Sequence, residues 1–536
     1  MRRRCASELA LIALLLIVAA LAFSQSCQRW LDPIIDTGRD LYIPEQIANG
    51  LRLYRDMRYQ YPPLAPYLLA LITSVVGHSL ASYAVIGILQ SIVIAAALWM
   101  IGRRTAGTIA GFVAALFFGA LSFCGASTWG ANFLFPYSYG ATIGIALIVV
   151  SLALFVYEQP ALALVGLFLA TWCKVEYAIG AAVILVALAF ARRVSLRHIA
   201  MFIGAEVVAG AAALAYFPNI RDNVFAPQLT KGEPAHRFFE VVSGVSDWPI
   251  YVVASLAGIV AIIAIAWLLR SVRPAVAIPA VIVISVGLTL MTHAFFRAWG
   301  FLQFAVLVEG FRKRNATLVT LSAFSIATTL RIPLSVSPVW YGFALIIPTY
   351  ALIAYVLFGY LQARSMWWLP LVAMLCGREL VEQHQLYALK AFPIDSPRGR
   401  LYDANSDRAR VLNAFIQHIH GGTLAVFPEG ITLDYLTQRT TTLSFHTFTP
   451  VETADPRVEQ AIIDEFAARP PDLVAIVSRD VSEYGYRAFG VDYDRRLAAH
   501  IFQNYGVIRN FRLPRFQMIV LSARRPASTA GDSARR

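Results

Sequence analysis

Acidic and basic side chains crowd into one short segment near the N-terminus, between two apolar stretches. Asp36, Arg39 and Asp40 lie within five positions, and Tyr61 follows in a Tyr-Gln-Tyr-Pro-Pro run. A carboxylate can deprotonate a hydroxyl nucleophile, and an arginine beside it can bind an acidic or phosphorylated substrate. The same residues also fit solvated loop charges that form nearly neutral surface ion pairs. Residue types alone leave both interpretations open.

Further charges stand at the ends of apolar stretches. Lys174 and Glu176 lie between two apolar runs, where they are costly unless they are paired or face a cavity. Arg331 ends a later run, and its guanidinium could bind a phosphate with two hydrogen bonds. His293 and Arg297 occupy a similar position. For the basic side chains the alternative is snorkelling to the membrane interface, and Glu176 has the alternative of neutralising Lys174.

The elements that position these side chains follow from composition. The chain has 536 residues, of which 58% are hydrophobic and 14% are charged, against about 25% charged residues in ordinary soluble domains. Residues 1–387 hold 26 Lys and Arg and 16 Asp and Glu, whereas the remaining 149 residues hold 19 and 16. The first part therefore indicates a membrane protein, and the second indicates a water-soluble segment.

Apolar stretches of membrane-spanning length recur along the first part. The first one follows Arg2-Arg3-Arg4 and fits either a cleaved signal peptide or an uncleaved first helix, of which the second is simpler in a polytopic protein. The pattern predicts about thirteen crossings. They cover residues 9–23, 81–101, 106–124, 139–157, 160–173, 177–191, 199–217, 249–269, 275–292, 299–310, 315–331, 338–361 and 366–386.

Basic clusters give the orientation, because cytoplasmic loops collect Lys and Arg. With the N-terminus in the cytoplasm, five basic clusters fall on the inner side, at 103–104, 192–197, 270–273, 312–314 and 364. The loop 24–80 and everything after the last span then lie outside. The sequence therefore predicts a multi-pass protein of the bacterial inner membrane with a periplasmic C-terminal segment.

The C-terminal segment has the pattern of a small α/β domain. Apolar runs at 424–427, 473–477 and 518–521 predict strands, and residues 458–468 predict a helix. Three acidic residues here, Glu429, Asp434 and Asp492, could contact a substrate, although structural roles also explain them. We predict three parts: a membrane domain at 1–387, whose first outer loop 24–80 is catalytic, an extracytoplasmic α/β domain at 388–526, and a disordered tail at 527–536.

Several other chemistries are not supported by the sequence. The five cysteines are scattered and show no spacing typical of zinc ligands. Clustered carboxylate and His ligands are nearly absent, so neither a divalent metal nor another cofactor is expected. The net charge of +13 comes almost wholly from arginine, but no basic face forms in a folded domain, and nucleic acid is not a predicted partner. No nucleotide-binding or hydrolase motif is present.

One resemblance to a known superfamily covers the membrane part. An apolar span, then Asp36-Thr37-Gly38-Arg39, then a Tyr-rich stretch and Pro62-Pro63-Leu64 opening the next helix resembles the GT-C glycosyltransferases. Within them it is similar to the protein O-mannosyltransferase, aminoarabinose transferase and lipopolysaccharide galacturonosyltransferase group. The family's Asp-Glu pair is Asp36-Thr37 here, and the Lys that precedes Pro-Pro in some members is Tyr61.

The resemblance implies a GT-C fold and an enzyme that transfers a sugar from a polyprenyl-phosphate donor. The acceptor would be a lipid such as lipid A, another envelope glycan or a protein. The family's catalytic Asp carries over to Asp36, as general base of a single inverting displacement. We expect Lys174, Arg331 and Arg39 to bind the donor phosphate, and Asp40, Glu176, Tyr61, His293 and Arg297 to contact substrate.

The alternative to a glycosyltransferase is a polytopic transporter or lipid flippase without transferase activity. Transporters often contain two related halves with interrupted helices at the bilayer midplane. The chain shows no internal repeat, and its unexplained charges collect toward the outer surface. Both features favour the transferase.

Overall fold

A computed structural model describes residues 2–126, 132–217, 219–225, 303–330, 346–361 and 369–523, together with isolated positions between 260 and 286. The chain divides into two compact units. The first unit contains Met1–Trp30, Tyr59–Leu69 and Tyr83–Ala388. The second unit contains Leu31–Arg58, Ala70–Ser82 and Leu389–Arg536.

The division between the units bears on the position of the first outer loop. One break lies between Ala388 and Leu389, one residue from the predicted boundary. Residues 31–58 and 70–82, which the sequence assigned to the membrane domain, cluster with the C-terminal segment. The part of the loop that contains Asp36 is therefore packed in the C-terminal unit, whereas residues 59–69, with Tyr61, belong to the first unit.

The helices are numbered here in chain order, with α10 given for its described residues only. They are α1 Arg2–Ser26, α2 Gly38–Ala48, α3 Leu64–Val76, α4 Leu80–Ala106, α5 Thr108–Phe117, α6 Tyr139–Val156, α7 Pro160–Thr171, α8 Glu176–Phe190, α9 Leu196–Tyr216, α10 at 303–312, α11 Ala316–Thr329, α12 Pro348–Tyr355, α13 Leu369–Ala388, α14 Ser406–His418, α15 Ile431–Leu436, α16 Pro450–Thr453, α17 Pro456–Ala468 and α18 Arg495–Asn504. Short π-helical turns, Phe118–Ser122 and Val356–Tyr360, continue α5 and α12.

Four described helices are long and apolar enough to cross a membrane by length and composition: Ala6–Ser26 of α1, and the whole of α4, α6 and α9. Six further apolar helices are shorter. In most of the predicted spans that the structure describes, the helix starts and ends within a few residues of the prediction, but α1 begins at Arg2 where residue 9 was predicted, and α12 begins at Pro348 within the predicted span 338–361. The predicted spans at 249–269 and 275–292 fall largely outside the described residues, so the count of thirteen stays a prediction.

Small residues allow the apolar helices of the first unit to approach closely. A Cβ atom on Gly102 of α4 would meet the Gly111 backbone nitrogen of α5 at 2.5 Å, and a Cβ on Gly144 of α6 would meet the Tyr177 ring of α8 at 2.2 Å. Buried hydroxyls satisfy one another, as in the 2.8 Å hydrogen bond between Ser122 and Tyr350. Close approach at small residues and internal hydrogen bonding are the means by which helices associate in lipid.

The second unit contains two sheets. Its strands are β1 Phe392–Ser396, β2 Gly399–Asp403, β3 Leu424–Phe427, β4 Leu473–Val477, β5 Tyr505–Leu513 and β6 Phe516–Ala523. Strands β1 and β2 form an antiparallel hairpin, and the other four form a sheet in the order β3-β4-β6-β5. In this sheet β3 is parallel to β4, and the remaining pairs are antiparallel.

The core of the four-stranded sheet forms where helices cover the fully buried strand β3. Phe427 of β3 packs with Phe448 and with Phe466 of α17, and Ile501 of α18 closes the same cluster. Helices α14 and α17 each begin at a side-chain cap, Asn405 and Asp455, respectively, which satisfies backbone N–H groups that have no partner within the helix.

The C-terminal segment is thus an α/β unit, and three of its strands, β3, β4 and β6, lie at the predicted positions. Three strands were missed: β1, β2 and the long strand β5. Residues of β5 are largely exposed, and Arg509 and Arg512 interrupt its apolar pattern. Such a strand lacks the continuous or alternating apolar run by which sequence analysis finds strands.

Candidate functional site

Asp36 lies immediately before helix α2 and has an unusual backbone conformation. Its φ angle is +60°, a left-handed value that is uncommon for any residue except glycine. The half-buried residue donates its backbone N–H to Glu429 Oε1 over 2.9 Å. Strained backbone persists only where the surroundings hold it in place. The Glu429 carboxylate supplies such a contact at Asp36 itself.

Glu429 connects Asp36 to an arginine. It is buried between the end of β3 and the start of α15, and its Oε2 accepts a hydrogen bond of 3.1 Å from Arg479 Nε. Burial, together with the charge of Asp36, raises the pKa of Glu429 to about 7, against the opposing effects of the Asp36 N–H and of Arg479. The glutamate therefore changes charge close to neutral pH, beside Asp36.

The segment before Asp36 is held by charged groups of the C-terminal segment. Asp32 accepts the backbone N–H groups of Ile34 and Ile35 and receives both Nη atoms of Arg408, at 3.2 and 2.8 Å. Arg408 also donates to the buried Asp403 at 2.8 Å. Burial opposes ionisation of Asp32, but Arg408 and the two N–H groups hold its pKa below the usual value. This ion-pair network holds in place the residues that precede Asp36 in the chain.

Arg39 and Asp40 pair with each other on the first turn of α2. Arg39 Nε lies 3.3 Å from Asp40 Oδ1, and Asp40 is buried. This contact agrees with the alternative that Asp40 forms an ion pair with Arg39. Phosphate binding by Arg39 and substrate binding by Asp40 remain predictions.

Helix α2 also packs against α15 through buried polar groups. A Cβ on Gly38 would meet the Thr432 backbone nitrogen at 2.4 Å, so α2 can approach only with glycine there. Among the described residues, the Asp434 carboxylate and both ring nitrogens of His446 lack a hydrogen-bond partner. Burial raises the pKa of Asp434 well above its usual value and lowers that of His446 to about 4. Burial therefore disfavours the charged form of both groups, and the His446 ring is neutral at neutral pH.

Lys174, Glu176 and Tyr61 meet in the first unit. Lys174 Nζ lies 3.2 Å from Glu176 Oε1 and 4.4 Å from the centre of the Tyr61 ring. Both charged side chains are almost completely buried, at 3% and 6% exposure. Lys174 lies in the turn between α7 and α8, and Glu176 is the first residue of α8. The Leu64 N–H donates to Trp172 O at 3.1 Å, which connects the start of α3 to this turn. The structure brings these three predicted residues together.

Three predicted site residues remain. Arg331, His293 and Arg297 lie outside the described residues. Glu206 of α9, which is not one of the predicted site residues, accepts a hydrogen bond of 2.7 Å from Thr171, which fits helix packing.

Sequence reasoning missed three side chains of this site. Asp32 and Arg408 were not selected, and Glu429 was considered for substrate contact or a structural role but not included among the predicted site residues. The available signal for Glu429 was its place two residues after the short apolar run 424–427. That signal does not reveal a partner 393 positions away along the chain.

The structure was compared with solved proteins. At 13% identity and a TM-score of 0.51, 95% of the chain matches 73% of the oligosaccharyltransferase of Archaeoglobus fulgidus, solved in complex with zinc and sulfate. The fold is therefore similar to that of this oligosaccharyltransferase, in agreement with the fold that the first-loop resemblance implied.

Two other matches are weaker. Oligosaccharyltransferase AglB of the same organism, solved with an inhibitory peptide and a dolichol-phosphate, gives a TM-score of 0.47 at 13% identity, with 87% of this chain and 69% of that chain covered. ArnT from Cupriavidus metallidurans, bound to undecaprenyl phosphate, gives 0.44 at 13% identity over 96% of this chain and 97% of that chain. No protein-family model and no curated protein matches the sequence.

Zinc in the archaeal complex raises the question of a metal here. Within the part of the chain that the structure describes, no group of three or more His, Cys, Asp or Glu side chains could hold a metal ion. The described residues therefore do not form a metal site. Cofactor independence remains a prediction.

Proposed function

We propose that the protein is a glycosyltransferase that moves a sugar from a polyprenyl-phosphate donor to a hydroxyl of a lipid, glycan or protein acceptor. The observation that carries the proposal is the Asp36 carboxylate, on a loop fixed by Glu429 at the same residue, in a chain with a GT-C fold. The sequence motif around Asp36 supports the same function.

Asp36 acts as the general base. Its carboxylate accepts the proton of the acceptor hydroxyl while the hydroxyl oxygen attacks the anomeric carbon of the sugar. The bond between that carbon and the phosphate oxygen breaks, and the polyprenyl phosphate leaves with the bonding electrons. Attack opposite to the leaving group inverts the anomeric configuration.

Cations stabilise the departing phosphate. Lys174, Arg39 and Arg331 take this role, because a positive charge in a site of low dielectric strongly stabilises a developing anion. Tyr61, Asp40, Glu176, His293 and Arg297 contact the substrates. The burial of Lys174 supports its part in this assignment.

The reaction takes place at the outer face of the bacterial inner membrane. The basic clusters in alternate loops support a cytoplasmic N-terminus and an external C-terminal unit. Polyprenyl-phosphate donors are lipids, so a membrane-embedded enzyme meets donor and envelope acceptor at one surface.

Asp36→Asn tests the proposed function. A strain that lacks the protein is compared with its parent by mass spectrometry of lipid A and other envelope glycans, and the missing sugar identifies the product. Re-expression of the unmodified protein should restore that product, whereas Asp36→Asn should lower the initial rate at least about 100-fold, as expected for loss of a general base.

The matched control is Asp395→Asn, which removes an exposed carboxylate from the same unit and should restore the product fully. Equal rates for Asp36→Asn and the unmodified protein would show that Asp36 is not the base.

A further inference from the structure

The C-terminal unit contains a cavity that the proposed mechanism does not use. It has a volume of about 510 Å³ and lies where strands β3 and β4 end, lined there by Pro428, Ser478 and Arg479. Ligands of open α/β sheets bind outside the carboxyl ends of parallel strands, and a cavity of this size can hold a small ligand.

The cavity wall carries several charged side chains. Arg479, Arg487 and Arg515 line it, and among the lining residues that the structure describes the acidic one is Asp480. Hydrogen bonds from Ser482 keep the pKa of Asp480 below its usual value, so the carboxylate is ionised. Two of the guanidinium groups also have an acidic partner: Arg479 pairs with Glu429, and Arg487 pairs with Asp492 at 3.4 Å. Three guanidinium groups that line one cavity can donate charge-assisted hydrogen bonds to the same ligand, which favours an anionic ligand.

The three arginines come from separate segments of the chain. Arg479 follows β4 and is held by Glu429. Arg487 lies in the connection to α18, where its backbone N–H donates to Asp492 at 2.9 Å. Arg515 lies in the β5–β6 turn, where its N–H donates to Asp407 at 3.0 Å. These contacts fix the backbone at three separate places from which the arginine side chains line one cavity.

Apolar side chains form the rest of the wall. Phe489 stacks on Phe427 of β3 with ring centres 5.3 Å apart, and Ile476 and Ile519 lie beside it. A wall with both apolar and cationic parts suits a ligand that has a ring with hydrocarbon faces and an anionic substituent. A sugar that carries phosphate or carboxylate has this chemistry.

Arg479 also links the cavity to the candidate base. Its Nε donates to Glu429 Oε2, and Glu429 Oε1 accepts the N–H of Asp36. An anion bound to Arg479 would therefore be connected to the Asp36 backbone through Glu429.

We propose that this cavity binds a phosphate or carboxylate group carried by a sugar of the acceptor. Assignment of the ligand to the acceptor rests on the proposed function, whereas anion binding by the cavity does not. The acceptor would thus be an acidic glycan or glycolipid, held by the C-terminal unit through its anionic group.

The test measures binding to the full-length protein in nanodiscs of zwitterionic lipid. Glucose 1-phosphate, glucose, inorganic phosphate and farnesyl phosphate serve as probes in ligand-observed NMR titrations. The Arg487→Gln/Arg515→Gln double variant removes two cavity cations without altering Arg479. The matched control, Arg410→Gln/Arg509→Gln, removes two exposed arginines of the same unit that do not line the cavity.

We expect glucose 1-phosphate to bind more tightly than glucose, and the cavity variant to raise its Kd about tenfold or more, since each charge-assisted hydrogen bond is substantial. The control variant should bind as the unmodified protein does. Equal Kd values for the cavity variant and the unmodified protein, or equal binding of glucose and its phosphate, would overturn the proposal.

Two further measurements use the unmodified chain and so do not depend on folding of a variant. Inorganic phosphate should displace glucose 1-phosphate, and failure to do so would refute an anion site. Farnesyl phosphate should compete no better than inorganic phosphate; stronger competition would assign the anion to the donor's carrier lipid and overturn the acceptor assignment. Asp36→Asn should retain glucose 1-phosphate binding, which separates this proposal from the proposed function.

Discussion

Glu429 and Asp36 form a pair of carboxyl groups in which one contacts the backbone of the other. The pKa of Glu429 is about 7, because burial and the charge of Asp36 together oppose its ionisation. The folded protein therefore binds more protons than the unfolded chain between about pH 4.5 and 7, and the stability contribution of Glu429 falls as the pH rises through that window.

Substitution of Glu429 should change how sugar transfer depends on pH. In the unmodified protein, ionisation of Glu429 places a negative charge near Asp36 and stabilises the proton that Asp36 accepts, so kcat should rise on the order of fivefold from pH 6 to pH 8. Glu429→Gln keeps an acceptor for the Asp36 N–H but has no charge, and its profile should be flat there. Glu429→Ala should lower kcat at every pH.

Asp464→Asn, at an exposed acid of α17, is the matched control and should keep the original profile. A Glu429→Gln profile identical to that of the unmodified protein would show that Glu429 has no electrostatic effect on transfer.

Lys174 gives a second prediction at the residue scale. Lys174→Met keeps the length of the side chain but removes the charge expected to hold the donor phosphate, so kcat/KM should fall about 100-fold or more. Arg103→Gln, at a largely exposed ion pair with Glu8, should leave transfer unchanged.

The Lys174→Met/Glu176→Gln double variant distinguishes phosphate binding from charge neutralisation. If Lys174 only neutralises Glu176, the double variant will regain activity, because no buried charge is left unpaired. We expect the double variant to remain inactive.

At the scale of elements, helix α14 and the β1–β2 hairpin hold the first outer loop. Arg408 of α14 bridges Asp403 of β2 and Asp32 of the loop. Arg408→Gln would leave the buried Asp403 without its ion-pair partner, and loss of one member of a buried pair costs about 3–5 kcal/mol. Thermal unfolding of the C-terminal unit should therefore occur at a clearly lower temperature.

Arg400→Gln is the control for that measurement, since its pair with Asp395 lies on the surface and such pairs contribute about 0–1 kcal/mol. The difference between the two variants should shrink in acid: Asp32, whose pKa is lowered in the folded state, contributes stability that is lost as the pH falls through that pKa. Equal unfolding temperatures for both variants at neutral pH would contradict the anchoring role.

At the scale of the whole molecule, residues 31–58 of the first outer loop and the C-terminal segment belong to one unit. A chain truncated after Ala388 would keep the apolar helices but lose every loop contact made by residues 389–523. Trypsin should then cut rapidly after Arg39, which is only 14% exposed in the full chain, and sugar transfer should be abolished. Cleavage sites can be read by mass spectrometry.

Removal of residues 527–536 alone is the control and should leave both the cleavage pattern and the activity unchanged. A truncated chain whose Arg39 resists trypsin as well as the full chain does would show that the loop folds without the C-terminal segment.

Much of the architecture could be predicted because it depends on local composition. An apolar run such as residues 139–157 specifies a helix by itself, and α6 occupies Tyr139–Val156. The buried strands β3 and β4 were found for the same reason, since their residues are apolar throughout. Strand β5 was missed because its exposed positions carry arginine, and its place in the sheet depends on pairing with β6.

The sequence by itself determined the apolar helices, the α/β character of the C-terminal segment and the choice of Asp36, because these follow from neighbouring residues and a short motif. Tertiary structure decided that the first outer loop packs with the C-terminal segment, and that Glu429 and Arg408 hold it. Those contacts join residues more than 370 positions apart. The partner of a buried charge is set by how the chain folds back on itself, and no local pattern records that choice.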